Sequence, residues 1–219
     1  MRSSLTKAHY YTKIDLRSVY HLVYIAKGDE WKMAFRTHYG SFEWLVMSFG
    51  LLNALSAFQR FINEIFTEML DVSVVIYLDD ILVYSDNLES HKRHVREVLR
   101  QLWDNGLYVL PTKCIFHQWK VEFLGFILSL EGIQMDTRKV QTIQDWPTPW
   151  WVKDVQAFVG FTNFYRWFIK GYSELVLPLT QLTWKNEPWS WTTLCQSSFK
   201  TLKQVFMSAP ILVHWDPVL

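Results

Sequence analysis

The sequence predicts an α+β fold, an antiparallel sheet with packed helices followed by a small helical subdomain. Three observations predict it. Short β-favouring runs recur through residues 10–128, including two, 72–76 and 81–84, that flank the turn-like Tyr77-Leu78-Asp79-Asp80. Among them, Phe58, Phe61, Ile62, Ile65 and Met69 recur at helical spacing. After about Gly132 the strand character stops and helical segments punctuated by proline take over. Strands with helices on one face form a layered α+β domain.

In chain order, residues 10–14, 22–25 and 33–36 read as strands, with Gly28-Asp29 as a turn. Residues 53–70 read as a helix capped by Asn53 or Ser56. The hairpin comes next. Asp86 or Asn87 can cap a helix that runs to about Asn105, with Gly106 as its stop. Lys92, Arg93, Arg96 and Arg100 lie on that helix, as a basic face for nucleic acid or, more ordinarily, a solvated face. Tyr108, residues 114–116 and residues 121–128 return to strand character. Asp136 caps a helix over 137–146, which Pro147 and Pro149 end. Residues 152–170 form another, whose stripe of Phe158, Phe161, Thr162, Tyr165 and Ile169 reads as core. Thr193 and Gln196 are spaced as a capping box for a last helix to about Met207. The change of character near Gly132 divides the chain into residues 1–132 and 133–219.

Half of the 219 residues are hydrophobic, enough for a substantial core. The apolar runs are too short to span a membrane. Met1-Arg2-Ser3-Ser4 opens no secretory signal. Cys114 and Cys195 make neither a metal spacing nor a disulfide framework, so they are expected to be reduced and buried. Together these features predict an intracellular protein, cytoplasmic or nuclear. With a formal net charge of +1, nucleic-acid binding would rest on a local basic face.

Asp79 and Asp80 carry the strongest chemical signal. A buried unpaired carboxylate is costly, so carboxylates in an apolar stretch are usually paired or hold a metal. A turn lets both lie near one end of the hairpin, which suits a hard cation such as Mg²⁺. The plain alternative is a polar hairpin tip in solvent. Asp15 ends the β-like run His9-Tyr10-Tyr11-Thr12-Lys13-Ile14. If the two segments pair, three carboxylates converge and could hold two metal ions about 3.5–4 Å apart, as phosphoryl transfer requires. Asp15 could equally cap a turn before Leu16-Arg17-Ser18, and spacing leaves both open.

Longer motifs carry a resemblance. Lys13-Ile14-Asp15-Leu16-Arg17-Ser18-Val19-Tyr20-His21 resembles the first catalytic motif of reverse transcriptases. Phe42-Glu43-Trp44-Leu45-Val46-Met47-Ser48-Phe49-Gly50-Leu51-Leu52-Asn53-Ala54 resembles their nucleotide- and template-contacting motif. Tyr77-Leu78-Asp79-Asp80 matches the catalytic hairpin, and Glu122-Phe123-Leu124-Gly125-Phe126 the primer-grip region. Trp146-Pro147-Thr148-Pro149 and the run from Phe158 to Arg166 resemble the segment after the primer grip in gypsy-type LTR retrotransposon polyproteins. The motifs keep the family's order from about Ala8 to Trp215.

The resemblance implies an RNA-directed DNA polymerase that transfers a nucleotide from a dNTP to a primer 3′-hydroxyl on an RNA or DNA template. It makes Asp15, Asp79 and Asp80 the ligands of Mg²⁺, with Mn²⁺ as a substitute. Tyr20 becomes the steric gate against ribonucleotides. Leu16, Phe49 and Gly50 border the nucleotide, and Lys113 protonates the leaving pyrophosphate. Leu124, Gly125 and Phe126 position the primer terminus. Residues 1–132 would be the palm with its fingers largely missing, and 133–219 a thumb-like region leading toward a ribonuclease H domain outside the chain.

Several positions depart from the family pattern. Val19 stands where Ala or Gly is usual and is expected to crowd the nucleotide, so that Val19→Ala would raise activity. Ser48 and Leu55 stand at usual prolines and Leu52 at a usual threonine. Trp103, Trp150, Trp167 and Trp184 stand where arginine is frequent. Changes of Pro to Ser or Leu, Ala to Val and Arg to Trp are each one C-to-T step. The alternative reading is therefore a decayed, catalytically silent retroelement fragment that keeps the fold and at most binds nucleic acid.

Overall fold

A computed structural model of the chain describes Leu5 and residues 8–17, 19–48 and 50–208. The chain divides into two compact units, Met1–Phe123 and Leu124–Leu219. The elements of the first are β1 (Tyr10–Asp15), β2 (Ala34–Thr37), β3 (Gly40–Glu43), α1 (Ala54–Ile65), β4 (Val74–Tyr77), β5 (Asp80–Ser85), α2 (Leu88–Asp104), β6 (Ile115–Gln118) and β7 (Lys120–Phe123). The main sheet has the order β4-β5-β1-β6, with antiparallel pairing throughout. β2 and β3 form a separate hairpin.

Register separates the two faces of this sheet. Ile14 pairs with Ile81 and Val74 with Val83, so their side chains share one face. That face joins Phe58 and Ile62 of α1 and Val95, Val98 and Leu102 of α2 in one hydrophobic cluster. Each such fully buried side chain stabilises the fold by about 1.5–3 kcal/mol. The intervening residues of β1 and β5, among them Lys13, Asp15 and Asp80, point to the other face.

Most predicted elements of this unit are present, with shifted ends. The α1 helix stops at Ile65 rather than at residue 70. Phe66, Met69 and Leu70 keep the apolar spacing because they pack on the core from turns, not from helix. The stretch 22–25 makes only an isolated bridge, Tyr24 with Val46, beside a 3-10 turn at Val19–Leu22. α2 is capped by Asn87, whose side chain accepts the Ser90 amide at 2.9 Å.

The second unit contains β8 (Phe126–Ser129) and β9 (Gly132–Met135), an antiparallel hairpin, then α3 (Thr137–Gln144), α4 (Val152–Phe164), α5 (Tyr172–Gln181) and α6 (Thr193–Met207). α5 and α3 pack on α6, and α4 on α5. The predicted strand 121–128 is interrupted at Leu124 (φ 52°) and Gly125 (φ 78°), whose positive φ leaves the extended conformation. The predicted helix 152–170 breaks after Phe164 into a 3-10 turn, yet Phe158, Thr162, Tyr165 and Ile169 of its stripe are buried as core. The last helix is capped by Thr192, one residue before the predicted Thr193. Its hydroxyl accepts the Cys195 amide, while Gln196 turns instead to the Trp191 indole. Cys195 is buried and Cys114 half-buried, both free thiols. Among the described residues no helix is long and apolar enough to cross a membrane.

Candidate active site

Two antiparallel pairings bring the acidic residues together. β4 and β5 join through a two-residue loop, with Tyr77 opposite Asp80 and Leu78-Asp79 between them. Leu78 has φ 55° and Asp79 is not among the positive-φ residues, the pattern of a type II′ hairpin turn. Glycine is usual at that first loop position, so a leucine there holds backbone strain. On the other side of β5, Asp15 lies directly opposite Asp80. The β1 strand continues onto the hairpin tip, since the Leu16 amide donates to the Asp79 carbonyl at 2.9 Å. The Asp15 carbonyl accepts the Leu110 amide at 2.8 Å, which fixes that strand end from its second edge.

Lysine ammonium groups meet both opposed carboxylates. Lys113 Nζ lies 3.5 Å from Asp15 Oδ2, and Lys13 Nζ 3.1 Å from Asp80 Oδ1. Lys13 is two residues before Asp15 on the same strand face and reaches Asp80 as a diagonal cross-strand pair. The Asp15 side chain is 14% exposed and that of Asp80 26%, so the site is sheltered but open. Among the described residues no group of three or more His, Cys, Asp or Glu side chains is drawn close enough to hold a metal by itself. The donor set nevertheless fits a hard divalent cation: carboxylate oxygens opposed across two strands, each already attracting a positive group.

The reverse transcriptase (RNA-dependent DNA polymerase) family matches residues 2–128. The chain belongs to that family. The Tf2-3 and Tf2-7 transposon polyproteins of Schizosaccharomyces pombe are each 39% identical over 94% of the chain. The chain spans about a sixth of their length, 16%. A foamy viral protease–reverse transcriptase solved with double-stranded DNA shares the fold at TM-score 0.84 and 24% identity, over 95% of this chain and 37% of that one. Its counterpart with an RNA/DNA hybrid gives 0.80 and 23%, over 96% and 30%. The α+β class, sheet first and helices after, is the one the sequence predicts.

The other residues expected at the site of this member of the reverse transcriptase family lie in both units. Leu16 is buried and offers its backbone to the hairpin tip. Gly50 is exposed at φ 92°, a conformation that excludes most side chains even though nothing crowds it. Tyr20 belongs to the 3-10 turn at Val19–Leu22, but its side chain and the whole of Phe49 lie outside the described residues. Leu124, Gly125 and Phe126 belong to the second unit. A Cβ on Gly125 would stand 2.9 Å from the Tyr165 hydroxyl, so glycine is required there on space as well as on φ. Phe126 stacks on Phe164 and Phe168. Val19 is 2% exposed and belongs to the hydrophobic cluster with Phe58 and Ile81. Its side chain therefore packs as core. Of the basic row on α2, Arg100 is engaged by Glu97 at 2.6 Å and Asp104 at 2.8 Å, as on a solvated helix face.

Two groups near the carboxylates are absent from the expectations drawn from sequence. Lys13 is visible in principle, being two residues from Asp15 in a strand. Gln59 is not, because its contact is with the hairpin nineteen residues away: its Oε1 accepts the Leu78 amide at 2.8 Å. A polar network also ties β1 and β5 together on the helix face. Buried His91 of α2 bonds Thr12 Oγ1 at 2.8 Å through Nε2 and Ser85 Oγ at 3.0 Å through Nδ1. Ser85 Oγ also bonds His94 Nδ1 at 2.8 Å. Burial, with His117 and His94 adding repulsion, pushes the His91 imidazole down to about 4. His94 is lowered too, by burial first and then by Arg93.

Proposed function

We infer that this chain is the palm and thumb-like part of a gypsy-type retroelement polymerase that extends a DNA primer on an RNA or DNA template. The observation that carries the reading is the opposition of Asp15 and Asp80 across β1 and β5 at the tip of the Tyr77–Asp80 hairpin. Asp79 sits in the two-residue loop of that tip. The curated relatives are transposon polyproteins, and the two foamy viral neighbours hold double-stranded DNA and an RNA/DNA hybrid. Both facts favour a template–primer duplex as the partner.

Asp15, Asp79 and Asp80 would hold the Mg²⁺ ions that reverse transcriptases generally use. Held by these residues, the metal would lower the pKa of the primer hydroxyl and neutralise charge on the leaving pyrophosphate. The protein's own groups do the rest. Lys13, close to Asp80, limits the repulsion between the carboxylates until substrate arrives. Lys113, 63% exposed at its side chain, can swing from Asp15 to the leaving group and donate its proton. Tyr20, Phe49 and Gly50 border the incoming dNTP, and Leu124, Gly125 and Phe126 steady the primer terminus.

Primer extension on an RNA template with Mg²⁺ or Mn²⁺ tests the reading. The parent extends the primer, and the Asp79→Asn/Asp80→Asn variant does not. A folded, soluble parent that adds no nucleotide would make the chain a catalytically silent member of its family.

A further inference from the structure

We propose that Gln59 is a positioning residue that holds the catalytic hairpin tip, and with it Asp79 and Asp80, in register with Asp15. The proposal rests on the polymerase reading for its consequence and on geometry for its substance. Tyr77 pairs with Asp80, so the two loop residues fall outside the strand ladder and the Leu78 N–H has no partner there. Gln59, half-buried on α1, supplies one: its Oε1 accepts that amide at 2.8 Å. The same side chain donates through Nε2 to the Ile76 carbonyl at 3.4 Å and to Asn63 Oδ1 at 2.8 Å. One carboxamide thus grips the backbone on both sides of Tyr77, and Asn63, one helical turn on, fixes its orientation.

The grip falls where the backbone needs it. Leu78 is at φ 55° without being glycine, a conformation the chain leaves unless something holds it. From the other side the Leu16 amide holds the Asp79 carbonyl at 2.9 Å. Asp79 therefore hangs between two clamps, one from α1 and one from the end of β1. Loss of the Gln59 clamp frees the turn to relax toward negative φ and swings the Asp79 and Asp80 carboxylates away from Asp15.

The test uses the whole chain with Gln59→Met, which keeps the length of the side chain and removes both polar atoms. Hydrogen exchange of the Leu78 amide, read by NMR, is expected to speed up about tenfold, the effect of losing one such bond. In primer extension kcat falls roughly tenfold or more, and half-saturation moves to higher Mg²⁺, as when a group supporting metal ligands is lost. A second change, Leu78→Gly in the Gln59→Met background, removes the strain and recovers most of the Mg²⁺ dependence. Should Gln59→Met fail to fold, Asn63→Ala removes only the lateral partner and is expected to raise Leu78 exchange about threefold. Unchanged Leu78 exchange in the folded variant, or a defect that Leu78→Gly leaves intact, overturns the proposal. The exchange measurement needs no catalysis, so it decides the matter even if the parent synthesises no DNA, a result that would end the polymerase reading alone.

Discussion

His91 is a single residue on which the joint between β1 and β5 depends, and its chemistry gives a pH dependence of stability. It bonds Thr12 of one strand and Ser85 of the other, with His94, His117 and the Tyr10 ring around it. Its pKa falls from an ordinary 6.5 to about 4 on folding. The folded state therefore resists taking up a proton that the unfolded chain accepts readily. The stabilisation is complete above pH 6.5 and is lost as pH falls toward 4, by about 3 kcal/mol in all. Urea unfolding between about pH 7 and 4 is expected to show this slope, and His91→Gln, which keeps polar atoms and cannot charge, to flatten it. An equal slope in the variant would assign the acid loss to other groups. Val19 makes a second case at this scale. Because it is core, Val19→Ala is expected to lower stability by about 1–2 kcal/mol through the space it leaves. A thermal midpoint at or above the parent's would show that Val19 adds nothing to the core.

Elements are legible in the sequence where a local signal suffices, and illegible where a distant partner decides. Asn87 and Asp136 have the residue type and place of caps, and both side chains accept an amide of the first turn. Asn53 has them too, but its side chain makes no cap bond. The contrast is measurable. Asn87→Ala is expected to cost about 1 kcal/mol in urea unfolding, and Asn53→Ala a few tenths at most. Equal losses would mean that cap bonding is not what separates them. α5 is hidden from a sequence reading because Pro178 lies inside it, and proline usually argues against a helix interior. The turn between β7 and β8 is hidden for a related reason: Leu124 gives no sign of positive φ, and only the pair with Gly125 does. At the site the same division holds. The Tyr77–Asp80 turn is local and legible, whereas spacing leaves the pairing of Asp15 with Asp80 open, and Gln59 acts across nineteen residues and leaves no trace in spacing.

Over the whole molecule, the surface departs furthest from what nucleic-acid binding asks. Trp103, Trp150, Trp167 and Trp184 are each more than half exposed, at positions where the resemblance points to arginine. The ring of Trp167 lies under the Arg166 guanidinium, 5.0 Å from its centroid, so one cation is already drawn onto an apolar face. Exposed rings of this size favour association between molecules. An arginine at the same place would instead offer phosphate a fixed positive fork. Changing all four to arginine raises the formal net charge from +1 by four. Two outcomes are expected, the second only if these surfaces face the duplex. Soluble yield and monomer fraction rise in sedimentation. The dependence of template–primer affinity on salt also steepens, by about 0.9 in log–log slope for each new phosphate contact. Individual variants then sort the positions. Those that change solubility alone are general surface, and those that also change the slope lie along the nucleic-acid track. A quadruple variant with the parent's slope would remove all four positions from that track and leave the exposed tryptophans as a cost to solubility only.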